Sequence, residues 1–478
     1  MLGAEEIVGK VDFGDVRLRR RLLWLMEAWG DRPGASIPQV TGSWGGSMAA
    51  YRFFANAAVD PTHLIEAMAR ATAERCQGME RVVVIQDTTS LDYTCHPRTQ
   101  GLGSLDNEHA RGLLAHTSMA LSEVGVPLGL VAQEVWARPK HPERPEDWRH
   151  QVPIEAKESV KWLLGLRQTQ TRLAGKAVVM VADREGDVFE LFAAAAELNG
   201  DWVIRARHDR VVAGALGHLV AAVTAAAVGA EALVTVTCAG GHHTRIARTH
   251  LRWTRVRLVP PEERSTKEIA AWWAANPTVA RQVSMPLPTL EVGVVLVTET
   301  DPPPDETPLR WLLVTSLPLE TDTDALRCVQ YYQWRWLIER FHFVLKSGCR
   351  IERLQLADAP ALERALAVLS GVAWRLLATT YQAREHPTLP CTTVAPTEVW
   401  QALWATQNPQ LPMPAEPPDL RTFVRAVARL GGFLGRRGDG EPGVTTLWRG
   451  FARLTDITGA YWVGRTHARS PPETSICV

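Results

Sequence analysis

Lys176-Ala-Val-Val-Met-Val-Ala-Asp-Arg-Glu-Gly-Asp187 is the stretch whose reading decides the fold. Residues 177–182 are apolar without a break, the pattern of a short strand buried on both faces. Asp183-Arg-Glu-Gly-Asp187 then makes an acidic turn, and a helix is expected to follow as far as Leu198. Strand, turn and helix form the repeating unit of a mixed α/β sheet. An Asp at the end of such a strand stands at the carboxyl edge, where α/β sheets place ligands. Arg81-Val-Val-Val-Ile-Gln86 followed by Asp87-Thr-Thr89 repeats the pattern. Asp87 and Asp183 are therefore candidate site residues, although a cap or turn role suits either one taken alone.

Around these strands the chain changes character. Leu113–Leu121 and Val124–Val135 are further apolar runs, and Lys157–Leu173 has helical periodicity. From Trp202 to about Thr315 short Val- and Thr-rich runs alternate with Gly and Pro, which reads as β-rich. Residues 201–258 of that region carry eight Lys/Arg against three Asp/Glu, a local net charge of 8 − 3 = +5. Residues 1–65 read as short helices. In Asp15–Trp29 the leucines Leu18, Leu22, Leu23 and Leu25 alternate with Arg17, Arg19, Arg20 and Arg21, an amphipathic helix with a basic cluster. After the Pro-rich stretch Asn408–Pro418 come Leu420–Leu430, a Gly431-Gly432 hinge and Thr446–Thr455. Phe423, Val427, Leu430, Phe433 and Leu434 recur near helical spacing there, which suits an intrachain core and a protein–protein contact equally.

Composition bounds the alternatives. The 478 residues suggest about three domains. The chain is 46% apolar and 22% charged, which excludes a mainly disordered, collagen-like or disulfide-scaffold protein. Lys+Arg and Asp+Glu both number 52, so a nucleic-acid partner must be argued from local charge. No run of about 18 apolar residues occurs, and no membrane partner is expected. The start of the chain lacks the pattern of a signal peptide. The seven cysteines, Cys76, Cys95, Cys238, Cys328, Cys349, Cys391 and Cys477, are scattered without a C-x-x-C pair. A reducing cytoplasm, without structural zinc or disulfides, is the expectation.

Asp324 to Lys346 reads as one long helix ended by Ser347-Gly348. At about 100° per residue, Tyr332, Arg335, Glu339, His342 and Lys346 share one stripe less than a quarter-turn wide. Trp334, Leu337, Ile338, Phe341, Val344 and Leu345 fill the rest of the circumference and are expected to pack inward. A salt-bridged surface face accounts for Arg, Glu and Lys. It does not account for a Tyr and a His on a helix otherwise apolar all round. A carboxylate ringed by a hydroxyl and cations suits a metal-bound phosphodiester.

The spacing Y-x2-R-x3-E-x6-K, at Tyr332, Arg335, Glu339 and Lys346, resembles the signature of bacterial cut-and-paste DDE transposases. The likeness is to the insertion-sequence-four family and, within it, to the transposon-five type. It extends over Ala50-Tyr-Arg-Phe53, Asp87-Thr-Thr-Ser-Leu91, Asp183-Arg-Glu185, Trp311-Leu-Leu-Val-Thr315 and Ala428-Arg-Leu-Gly-Gly-Phe433, in family order.

The resemblance implies a ribonuclease-H-like (DDE) catalytic core with a β-rich insertion at about 200–320, flanked by N-terminal and C-terminal helical domains. It implies an end-DNA-binding domain over 1–65, the catalytic domain over 66–370 and a dimerisation domain over 371–478. Asp87, Asp183 and Glu339 match the catalytic, metal-binding carboxylates, holding two Mg²⁺ ions for which Mn²⁺ substitutes. Tyr332, Arg335 and Lys346 match the phosphate clamp. Trp311 matches the ring on which a flipped base stacks, and Trp336 borders it; a core tryptophan is the other reading of Trp311. Arg184 and Arg205 match basic positions near the DNA end, and Arg21 and Arg52 match end-contacting arginines. The implied partners are transposon-end DNA, target DNA and a second copy of the chain, in the cytoplasm and at the nucleoid when on DNA. Phe343 stands where the family often has a second lysine. His342 reads as a helix-surface or outer-layer residue, and Glu185 as a capping or pairing one. The alternatives are a metal-dependent nuclease without a joining step and a non-catalytic DNA-binding or inhibitor protein.

Overall fold

The computed structural model describes residues 4–107, 109–139, 148–237, 244–262 and 266–469. Cys238 and Cys477 lie outside the described residues, and the other five cysteines are free thiols. The chain forms two compact units. One comprises Thr72–Ser90 and Leu114–Glu339; the other comprises Met1–Ala71, Leu91–Leu113 and Arg340–Val478.

The first unit is built on a mixed sheet. In chain order the strands are β1 (Arg81–Asp92), β2 (Gly103–Ser104), β3 (Arg111–Leu121), β4 (Pro127–Trp136), β5 (Ala177–Ala182), β6 (Asp201–Arg205), β7 (Val228–Thr237), β8 (Thr244–Leu258), β9 (Leu290–Glu299) and β10 (Arg310–Thr315); the short β2 and the ends of β1 and β3 beside it fall within Leu91–Leu113 of the other unit. The order is β2-β3-β1-β5-β6-β10-β9-β8-β7, with β4 also paired to β3, over residues 114–121. β1, β5 and β6 run parallel. Residues 82–86 of β1 and 178–182 of β5 are all buried, which is why their sequences carry no polar alternation. The β-rich stretch continues this sheet, because β10 pairs antiparallel with β6. The helices Val160–Arg172 and Phe189–Glu197 bury Trp162, Leu166, Phe189 and Phe192 against Met180, Trp202 and Ile204. Phe192 stacks on Trp202 with centroids 4.3 Å apart. Each such side chain contributes about 1.5–3 kcal/mol on leaving water.

The second unit is helical. Its centre is the 27-residue helix Ala359–Glu385, apolar around most of its circumference and buried accordingly. The helices Val16–Asp31, Trp44–Ala55, Leu420–Leu430 and Val444–Arg469 pack on it. The first of these buries Leu22, Leu25, Met26 and Trp29, and leaves Arg17, Arg19 and Arg20 exposed.

Gly431-Gly432 is a helix end rather than a free hinge. Gly431 caps Leu420–Leu430 through hydrogen bonds from its N–H, and Gly432 takes φ +97°. Phe423 and Val427 are buried, so the apolar spacing there serves the intrachain core. Leu434 is exposed. Backbones meet closely at this corner: a Cβ on Gly450 would collide with the Val427 carbonyl oxygen. Gly450→Ala is therefore expected to cost about 1–3 kcal/mol. Thermal melting checks this, and an unchanged melting temperature would contradict the close crossing.

Candidate active site

β1 does not stop at Gln86 but runs on to Asp92, so Asp87 lies within a strand. It still stands at an edge, because β5 ends at Ala182. The register pairs Ile85 with Val181, and two further steps along each chain bring Asp87 level with Asp183. Neighbouring strands are about 4.8 Å apart, so the two carboxylates share one sheet edge. Both also make the local bonds expected of turn residues. Asp183 accepts the Glu185 N–H at 2.8 Å, capping the turn Arg184–Gly186, and Asp87 accepts the Thr88 N–H at 2.8 Å.

Glu339 reaches this edge through Arg335. The guanidinium Nη1 lies 3.4 Å from Asp87 Oδ2, and Nη2 donates to Glu339 Oε1. Burial pushes the Asp87 carboxyl up to about 7. The Asp183 and Glu339 carboxylates add to the rise, against Arg335 and the Thr88 N–H. Two acids distant in sequence are thus close enough to Asp87 to repel its charge. Below Arg335 lies the ring of Tyr332, 6.0 Å from the guanidinium carbon. Burial raises the Tyr332 hydroxyl above its ordinary value, opposed by Arg335 and Arg205. Trp311, half-buried on β10, meets Tyr332 edge to face at 4.8 Å. Trp336 is 41% exposed. Arg184 is exposed in the turn after Asp183, and Arg205 donates to the Arg310 carbonyl at 3.2 Å.

The helix carrying this cluster is not one straight rod. It runs as Asp322–Trp334 and Trp336–Phe343, then winds into a π turn at Val344–Gly348. Between the first two pieces, Arg335 and Ile338 donate their N–H groups three residues back, to Tyr332 and Arg335. The uniform 100° stripe is therefore interrupted at Arg335, where direct contacts keep Tyr332 and Glu339 beside its guanidinium, and it is lost again at the π turn before Lys346. The apolar positions Leu337, Ile338, Phe341, Val344 and Leu345 are buried as expected.

Three candidates belong to the helical unit. Lys346 pairs with Glu352 at 3.2 Å, Arg21 lies over the Trp24 ring at 5.0 Å, and Arg52 is exposed. Phe343 has Arg340 over its ring at 5.1 Å and meets Trp448 at a tilt, with ring centres 5.5 Å apart. An aromatic cluster thus occupies the position of the second lysine. His342 is buried rather than on the helix surface. Glu185 pairs with Lys161 at 3.5 Å.

Among the described residues, no three His, Cys, Asp or Glu side chains stand close enough together to hold a metal ion. Arg335 supplies the positive charge between Asp87 and Glu339. The donor set nevertheless fits a hard divalent cation. It offers carboxylate oxygens only, and the partly buried Asp87 is repelled by Asp183 and Glu339, a condition that cationic charge relieves.

Sequence reading passed over Asp187 and Arg210, which form a buried ion pair at 2.6 Å beside this edge. The only available signal was a second acid in the turn, and acids are ordinary there. No helix among the described residues is long and apolar enough to cross a membrane.

Three family models match the chain. They are Transposase DNA-binding over residues 3–59, Transposase DDE domain over 159–374, and Transposase Tn5 dimerisation domain over 371–475. The DDE match contains Asp183 and Glu339 but begins after Asp87, whose place rests on the strand register and on Arg335.

Proposed function

Because the chain belongs to the insertion-sequence-four DDE transposases and carries the domain set of the Tn5 enzyme, we propose that it cuts a DNA segment free at both ends and joins it to a new site. Each end would be nicked, the new 3′-hydroxyl would attack the opposite strand to form a hairpin, the hairpin would be opened, and the end would be joined to target DNA. The strand order β4-β3-β1-β5-β6, with β1, β5 and β6 parallel, supports a ribonuclease-H-like core extended by the β-rich insertion. We assign end-DNA binding to about 1–65, catalysis to 66–370 and dimer contacts to 371–478.

One observation carries the assignment of the chemistry: a single guanidinium links Asp87 to Glu339 at the edge that Asp183 shares. Asp87, Asp183 and Glu339 would hold two Mg²⁺ ions, which when bound supply Lewis acidity to the phosphodiester. Arg335 presents a planar fork suited to phosphate oxygens, and DNA entering the site would take over the contacts it now makes with carboxylates. Tyr332 steadies that fork from below and offers its hydroxyl to a phosphate. Lys346, Arg184 and Arg205 add cationic contacts along the strands, and Arg21 and Arg52 do so on the end sequence.

The test is linear DNA carrying the inverted repeats that flank the gene, incubated with the protein and Mg²⁺, and read on denaturing gels. Nicks and hairpins at the repeat boundary, abolished by a chelator, are expected. A precleaved end should then join a target plasmid. Cutting without joining would establish a nuclease, and metal-independent or absent cutting would remove the proposal.

Trp311, half-exposed beside Tyr332, is the platform for the flipped base. Trp311→Ala should lose about 1–3 kcal/mol of stacking, seen as slower hairpin formation with first-strand nicking retained. Trp311→Phe should recover most of it. Equal loss of both steps would refute the stacking role, and unfolding would make Trp311 a core residue.

A further inference from the structure

Four residues after Asp183 stands Asp187, whose side chain has no exposed surface. Its Oδ2 accepts the backbone N–H groups of Arg207 at 2.7 Å and His208 at 2.9 Å. Its Oδ1 accepts Arg210 Nε at 2.8 Å and Nη2 at 2.6 Å, and Nη2 also donates to the Asp187 carbonyl at 2.7 Å. The Arg210 guanidinium lies over the rings of Phe189 and Phe192, at 5.8 and 5.2 Å. All the hydrogen bonds join two segments: the turn after β5, which carries Asp183, and the loop after β6, residues 206–210. β5 and β6 are parallel neighbours, so both segments leave the sheet at one edge.

A turn needs only one side-chain acceptor to cap it, and Asp183 already provides that. Taking a second carboxylate fully out of water is costly unless its lone pairs and its charge are both met. Here both are met, and a fully satisfied buried network rigidifies what it joins. The loop it fixes follows Arg205 and exposes Arg207 and His208.

We propose that Asp187 is a positioning residue. It fixes the turn bearing Asp183 against the loop bearing Arg207 and His208, so that the carboxylate and the cations meet one DNA strand in register. The proposal deepens the transposase reading and rests on it.

The test separates positioning from folding. Asp187→Asn keeps the shape but sets amide N–H groups against donors. Asp187→Asn with Arg210→Gln restores a matched set, because the Asn amide then faces a Gln carbonyl. At saturating end DNA, Asp187→Asn should cut about 100-fold more slowly, while end affinity stays within about threefold. The double variant should recover about tenfold of that loss. Hydrogen exchange reads the clamp without catalysis: Asp187→Asn should raise exchange at 206–210 and leave β5 protected. Wild-type cutting by Asp187→Asn, a loss that merely follows the folded fraction, or unchanged exchange at 206–210 would overturn the proposal. If wild-type protein does not cut while the exchange result holds, the clamp stands as structure and the transposase reading is what fails.

Discussion

Changing Asp87, Asp183 or Glu339 to Ala is expected to abolish Mg²⁺-dependent cutting of end DNA, by about 10³-fold or more, if these carboxylates hold the catalytic ions as proposed. End binding should persist, because Arg21 and Arg52 both lie in the helical unit, within the DNA-binding match. Stability should change little at Asp183, whose carboxylate makes one capping bond. More is at stake at Asp87 and Glu339, which share Arg335; removing either leaves the guanidinium with one acid partner. Asp87→Asn and Glu339→Gln are therefore the better probes, keeping shape while removing charge. The measurements are denaturing gels with Mg²⁺ for cutting and gel shifts with chelator for binding. If Asp87→Asn cut normally, Asp87 would lose its place in the site, and the register argument would fail with it.

The parts of this site legible in the sequence were those whose signal is local. The apolar run at 177–182 declares a buried strand, and the acids behind it and behind 81–86 declare a sheet edge. Glu339 was legible because it stands four residues, about one helical turn, after Arg335, a distance over which 3.6-residue periodicity drifts little. The helix break was not legible. Trp334-Arg-Trp336 contains neither Gly nor Pro, and Arg335 keeps helical backbone angles of φ −50° and ψ −33°. Nor could spacing reveal that Phe343 packs against Trp448, a partner far along the chain. The Asp187 clamp escaped for the same reason: its donors come from the loop after β6, and only β5–β6 pairing brings them near. Joining of the β-rich stretch to the main sheet depends on β10 returning to β6, a pairing between segments more than a hundred residues apart.

The C-terminal helix Val444–Arg469 is where pairing of two DNA ends is expected to be decided. Its first half is core: Val444, Leu447, Trp448, Phe451 and Leu454 are buried against the same unit. Its second half changes character, with Gly459, Ala460, Val463 and Gly464 exposed and Val463 59% accessible. Exposed apolar and small residues at this spacing suit a second helix, and the dimerisation match covers them. Val463→Asp places a charge on that face, and a loss of about 2 kcal/mol or more in pairing, roughly 30-fold, is expected. Single-end binding should be unchanged, and cutting should fall with pairing, because a transposase that waits for both ends avoids lone breaks. Removing everything after Pro418 would not test this, since it strips Leu420, Phe423, Val427 and Trp448 from the core of the unit. Phe423→Ala serves as the contrast: it should unfold the protein by about 3–5 kcal/mol instead of unpairing it. Complex size on end DNA, by native gel or light scattering, reads the outcome. A folded Val463→Asp protein that still forms paired-end complexes would move the contact away from this helix.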